Sequence, residues 1–166
     1  MKIKANPTTL LGYHFSAGTL RDGSPIPAVG EWFRLPESVP IVPCVSGLHA
    51  SVHPFDAFEF APGPLLHRVE LRGELTPHGD PIDKWAGRER RIIASLDATD
   101  LLRTFARWGA LDVLHLWRAP RSVRDYLEAG DEAKRDAACA AASAAASAAA
   151  WNAARAAARD AACAAA

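Results

Sequence analysis

The chain changes character at Gly130. All 12 prolines and all 11 glycines lie at or before this residue, and 22 of the 36 residues that follow it are alanine. Alanine has the most favourable helix propensity, and only glycine and proline are strongly unfavourable. The sequence therefore predicts a compact, turn-rich domain over residues 1–130 and a single alanine-rich helix over residues 131–166.

The charge balance excludes broad classes of electrostatic partner. The chain carries 19 basic and 19 acidic residues. The two parts are also neutral separately, with 15 of each sign up to Gly130 and 4 of each sign after it. General nucleic-acid binders and polybasic membrane-surface proteins depend on excess positive charge. We therefore expect no nucleic-acid partner and no membrane partner.

Localisation is predicted from segments that are missing in the sequence. The N-terminal residues MKIKANPTTL contain no apolar run like that of a secretory signal. No stretch is apolar enough for a membrane span, because charged residues interrupt the alanine-rich part. The three cysteines, Cys44, Cys139 and Cys163, are an odd number, and the last two are too far apart on one helix to pair. A reduced, cytoplasmic setting is the expectation.

Hydrophobic periodicity in residues 1–130 predicts both strands and helices. Residues 65–71 alternate between apolar and polar side chains, which is typical of a half-buried strand. Further strands are predicted over residues 8–15, 31–35 and 90–96, and short helices near residues 54–61, 98–108 and 122–127. We therefore expect an α+β fold with a small mixed or antiparallel sheet, short helices and the long C-terminal helix.

The alanine-rich segment predicts self-association. Seven of its other residues recur at every fourth position from Cys139 to Cys163, so they wind around the helix and form no heptad seam. Small side chains allow two helices to approach closely. We expect a homo-oligomer formed through residues 131–166, with another protein as a second possible partner. The expected contact residues are Ala146, Ala150, Trp151 and Ala154. The alternative is a repeat expansion that gives a helix with no partner.

A cysteine and several histidines form one candidate constellation. Cys44, His49 and His53 have side chains that bind zinc, and His67 could add a fourth ligand. The commoner interpretation is a turn cysteine and a histidine that forms a hydrogen bond with the backbone. No Cys-x-x-Cys pair is present, so we expect no metal.

A second constellation follows the order of the predicted strands. His14 and Ser16 lie at the end of a strand, Gly47-Leu48-His49 comes later, and a short helix and an apolar strand ending at Gly73 follow. This order resembles the ADP-ribosyltransferase superfamily. The resemblance implies that His14 and Ser16 hold NAD, that His49 takes an aromatic stacking position, and that Glu89 is the catalytic carboxylate that polarises the ribose. The alternative is that both histidines are ordinary half-buried residues at strand ends.

A closer resemblance covers residues 12–136. The segment from Cys44 through Gly47-Leu48-His49-Ala50, the strand ending at Gly73, the basic run 88–93 and the alanine-rich end are similar to an uncharacterised domain family of bacteria and their phages. That resemblance implies a fold and no activity. The function predicted from the sequence is a non-enzymatic binding or interaction module that self-associates through its C-terminal helix. An NAD-binding enzyme like the ADP-ribosyltransferases, or an inactive nucleotide-binding relative, is the alternative. No cofactor is identified.

Overall fold

The computed structural model describes residues 8–20 and 22–164, with side chains through residue 157. The N-terminal residues on which the secretory-signal expectation depends lie largely outside this range. The described residues form two units, divided between Asp100 and Leu101. The fold is α+β with a five-stranded antiparallel sheet, so the predicted fold class is confirmed.

The first unit contains the whole sheet. Its strands are β1 (Thr9–Ser16), β2 (Trp32–Arg34), β3 (Leu48–Ala50), β4 (Leu65–His78) and β5 (Lys84–Asp97), and one helix, α1 (Pro54–Glu59), lies between β3 and β4. The long hairpin of β4 and β5 is central. β1 pairs with the free edge of β4, while β2 and β3 share the outer edge of β5. Both hairpin strands are longer than predicted, because residues 76–78 and 84–89 continue the ladder.

The sheet curls so that its two edges meet. Ser51 directly follows β3, and it exchanges two backbone hydrogen bonds with Tyr13 of β1, with N–O distances of 2.7 and 3.0 Å. Gly12 permits this approach, since a Cβ atom there would lie 2.7 Å from the Ser51 carbonyl oxygen. The backbones of β1 and β3 are therefore brought together by a position that has no side chain.

The register decides which side chains share the interior of this curled sheet. Gly12 lies opposite Val69, and His14 lies opposite His67. The buried core next to these positions consists of Leu48, Ala50, Val69, Leu71, Leu75 and Ile92. Tyr13 lies opposite Arg68 on the other face, where the Arg68 guanidinium lies 4.5 Å from the Tyr13 ring centroid. The strand period of two thus separates an interior face from a charged outer face.

The second unit is helical. It contains α2 (Thr99–Asp112, whose first two residues close the first unit), α3 (Arg121–Ala129) and α4 (Arg135–Ala164), with short 3-10 turns at Leu114–Leu116 and Glu132–Lys134. α2 continues through Gly109, where the sequence predicted its end, while α3 ends as expected at Gly130 in the left-handed conformation. None of the described helices combines the length and the hydropathy that crossing a bilayer would need.

The predicted domain boundary after Gly130 falls inside this second unit. The start of α4 packs against α3, and this cluster buries Val123, Tyr126, Leu127 and Ala138, with Ala141 and Ala142 at its edge. The sequence indicated where the composition changes. It did not show that the first two turns of the alanine-rich helix complete the core of the preceding helices.

Candidate functional site

A cavity of about 400 Å³ opens in the first unit where β1, β3 and α1 meet. Its volume is at the lower end of the range for small-molecule sites. Aromatic and small apolar side chains form part of its wall: Phe15, Ala50, Ala57 and Phe60. Residues with polar side chains also line it: Tyr13, His14, Cys44, His49, Ser51 and Lys84. Apolar walls with a few convergent polar groups are typical of ligand sites.

Lys84 is the charged group of the cavity. It is the first residue of β5, and only 7% of its surface is exposed. Its ammonium nitrogen lies 3.5 Å from the centroid of the Phe60 ring. Within the part of the chain that the structure describes, no carboxylate forms an ion pair with this ammonium, and none lines the cavity. The His78 hydrogen bond and, with a smaller effect, the Lys84 ammonium lower the pKa of the Asp83 carboxylate, which is not among the lining residues.

The loop before β3 places His49 and Cys44 side by side. Cys44 has a left-handed backbone with a φ of 66°, and its N–H donates a hydrogen bond to Nε2 of His49 over 3.2 Å. Because Nε2 accepts this bond, the ring proton of His49 is on Nδ1. The His49 carbonyl oxygen accepts a hydrogen bond from Arg90 at 2.9 Å. This is the backbone-bonded arrangement that the sequence offered as the alternative to a zinc site.

A set of buried groups lies behind the cavity wall. The His14 and His67 rings are stacked with their centroids 6.2 Å apart. His67 lies between two hydroxyls, with Ser16 Oγ 2.8 Å from Nε2 and Ser95 Oγ 2.7 Å from Nδ1. A neutral imidazole satisfies both hydroxyls, because it donates one hydrogen bond and accepts the other. Ser16 is therefore engaged with His67 and is not among the residues that line the cavity.

Electrostatics keep both imidazoles neutral at physiological pH. Burial, followed by the nearby Arg90 guanidinium and the neighbouring imidazoles, lowers the pKa of His14 well below its ordinary value of 6.5. Burial and Arg90 also lower the pKa of His67. Burial lowers the pKa of Arg90 itself to about 10, so this guanidinium remains charged at neutral pH. Neutral imidazoles next to a fixed cation can donate or accept hydrogen bonds without adding a charge.

Glu89 lies on the opposite face of the sheet from His14. In the register, Leu71 pairs with Arg90 and Arg72 pairs with Glu89, so Glu89 points away from the interior. Its carboxylate bonds to Arg34 at 2.9 Å and to Arg72 at 2.7 Å. The structure thus brings His14 and His49 to one cavity, as the resemblance to the ADP-ribosyltransferases implies. It does not bring Glu89 there, and this geometry does not support Glu89 as a catalytic group.

The zinc alternative has no geometric support among the described residues. Among the side chains that the structure describes, no group of three or more His, Cys, Asp or Glu residues could hold a metal ion. Cys44 and His49 are neighbours, and His67 bonds to two serines instead.

Lys84, Tyr13 and Phe60 were not singled out by the sequence. A single lysine next to a predicted loop carries no signal, because its burial arises only from the fold. The β5 ladder and the position of α1 place its ammonium over Phe60. Comparison of the whole chain with known proteins adds no further residue to the site, because no protein-family model, curated protein or solved structure matches it.

Proposed function

We propose that this chain is a non-enzymatic binding module, that the cavity at β1, β3 and α1 is its small-molecule site, and that the chain self-associates through α4. The observation that carries the ligand site is a cavity of about 400 Å³ with aromatic walls and convergent polar side chains. The absence of a carboxylate among its described lining residues favours binding over ribosyl transfer. That chemistry needs an anionic group to stabilise oxocarbenium-like charge.

The ligand site is tested by filling it. Ala57 is buried on α1 and lines the cavity, so Ala57→Leu adds three carbon atoms to the cavity wall. Ala106→Leu, at an exposed position of α2, is the matched control. We expect ligand-observed NMR with a mixed set of neutral, anionic and cationic aromatic fragments to detect binders of the unaltered chain and of the control. Ala57→Leu should abolish that binding. No fragment binding to the unaltered chain would contradict the proposal.

The NAD-binding alternative is tested directly. A ligand at 100 times its dissociation constant stabilises a protein by about 2.7 kcal/mol, so NAD or ADP-ribose would raise the melting temperature measurably if the chain bound either. We expect no NAD turnover. NAD consumption that depends on His14 or His49 would favour the alternative.

The self-association proposal is supported by exposure along the second half of α4. Residues 146–157 are all exposed, and Trp151 keeps 66% of its surface in contact with solvent. No charged residue occurs between Asp136 and Arg155, so two copies can pack without burying a charge. In this arrangement Ala146, Ala150, Trp151 and Ala154 of one copy contact the same helix of a second copy.

Sedimentation equilibrium measures this association. We expect the full chain to be an oligomer and Ala150→Glu to be a monomer, because the substitution places a charge at the contact. Ala140→Glu is the matched control at an exposed position of the same helix outside the expected contact, and it should leave the mass unchanged. Point substitution is preferable to removing everything after Gly130, because Ala138 belongs to the buried core. A full chain that sediments as a monomer would refute the proposal.

A further inference from the structure

The charge of the cavity narrows the ligand to one chemical class. The described residues that line the cavity include one ammonium, from Lys84, and no carboxylate. The Lys84 residue is 7% exposed, and its ammonium nitrogen lies 3.5 Å from the centroid of the Phe60 ring. An aromatic face stabilises a cation partly, but it does not replace a hydrogen-bond acceptor. No hydrogen bond to a described residue is recorded for this ammonium, and the Asp83 carboxylate, whose pKa is lowered by the His78 hydrogen bond and also by the Lys84 charge, is not among the lining residues.

We propose that the ligand is an organic monoanion, a carboxylate on a body about the size of one aromatic ring, and that Lys84 binds its charged end. This inference rests on the cavity being the ligand site. A carboxylate in the cavity would accept a charge-assisted hydrogen bond from the Lys84 ammonium.

The number of cations favours one negative charge over two. Lys84 is the one cationic side chain among the described residues that line the cavity, and Arg90 is buried with its guanidinium donating to the His49 carbonyl oxygen. His14 adds no positive charge, because burial and Arg90 lower its pKa. A phosphate dianion would keep one charge unpaired in a largely apolar cavity, which is costly.

The rest of the cavity fits the uncharged part of such a ligand. Phe15, Ala50, Ala57 and Phe60 present apolar surface. Phe15 is itself held by an edge-to-face contact with Phe58 of α1, with ring centroids 5.8 Å apart. A ring or short aliphatic chain can therefore be buried against fixed walls while the carboxylate reaches Lys84.

An isosteric series of probes tests the proposal on the full chain by isothermal titration calorimetry. The probes are 3-phenylpropanoate, its neutral amide 3-phenylpropanamide, 3-phenylpropylammonium and phenyl phosphate. Hydrogen bonds to charged groups are worth more than neutral ones, so we expect the carboxylate to bind about 30-fold more tightly than the amide. The ammonium probe should not bind, and phenyl phosphate should bind more weakly than the carboxylate.

Lys84→Met keeps the aliphatic stem and removes the charge, and it should abolish the preference for the carboxylate over the amide. Lys134→Met is the matched control, at an exposed lysine of the second unit, and it should keep the preference. The comparison of probes on the unaltered chain does not depend on how the variant folds. Equal binding of carboxylate and amide, or tighter binding of phenyl phosphate, would overturn this inference and leave the binding-module proposal standing. Binding of none of the four probes would count against both.

Discussion

Glu89 has a structural role that a single substitution can measure. Its side chain is 10% exposed and bonds to Arg34 and Arg72, which are 57% and 46% exposed. The Arg72 guanidinium also lies 3.7 Å from the centroid of the Trp32 ring. The carboxylate therefore joins β2, β4 and β5 on the outer face of the sheet. Glu89→Gln keeps the shape of this side chain and removes its charge.

The expected loss of stability follows from the two hydrogen bonds. A glutamine oxygen can still accept from one arginine, but its NH₂ group faces the other arginine, so one bond is lost and the remaining bond joins a cation to a neutral acceptor. Such bonds contribute about 1.5–3 kcal/mol each, and exposed partners lower the value. We therefore expect the free energy of unfolding to fall by about 2 kcal/mol. In a unit of about 100 residues this corresponds to a melting temperature lower by about 8–16 °C.

Urea unfolding monitored by tryptophan fluorescence measures this change, since Trp32 contacts the affected arginine. The matched control is Glu31→Gln, at an exposed residue, which should change the free energy by less than about 0.5 kcal/mol. Binding of 3-phenylpropanoate should be the same in Glu89→Gln as in the unaltered chain, because Glu89 does not line the cavity. A Glu89→Gln variant that is as stable as the unaltered chain would refute the predicted structural role. A variant that no longer binds 3-phenylpropanoate would refute the placement of Glu89 outside the cavity.

Two further predictions concern packing and protonation. Gly12→Ala should lower the free energy of unfolding by about 1–3 kcal/mol, because its Cβ would lie 2.7 Å from a backbone oxygen. Gly109→Ala, where nothing lies within 4 Å, should instead raise it by about 0.5–1 kcal/mol through helix propensity, and urea unfolding compares the two. Because the pKa of His14 is lowered in the folded state, this imidazole takes up a proton in the unfolded state before it does so in the folded state as the pH falls below 6.5. The free energy of unfolding should therefore be highest above that pH and should decline below it, by at most about 1.4 kcal/mol per pH unit. His14→Gln should reduce this slope between pH 6.5 and 5, while the exposed control His115→Gln should not; an unchanged slope in His14→Gln would contradict the assignment.

Local sequence rules predicted the elements well where the signal was local. The alternation of residues 65–71 identified β4, and the change in composition at Gly130 identified the long helix. The end of α3 followed from Gly130, which has a φ of 68° and suits the left-handed end of a helix. The end of α2 did not follow from Gly109, since a glycine costs a helix only about 1 kcal/mol and the helix continues through it.

The site was harder to predict because it depends on which face of β5 each charged residue occupies. The run Arg88-Glu89-Arg90-Arg91 suggests a solvated strand edge, and in a strand its members must alternate between faces. A shift of one residue exchanges the two sets. The β4–β5 ladder contains one register shift just after this run, between Arg68 and Val69, and one within it, because Arg72 pairs with Glu89 while Leu75 pairs with Gly87. Only the full ladder shows that Arg90 is interior while Glu89 faces out. The same dependence applies to Lys84, whose burial follows from the position of α1 and not from its neighbours in sequence. A cavity whose described lining contains one ammonium and no carboxylate is therefore a property of the tertiary structure, and the monoanion proposal depends on this property.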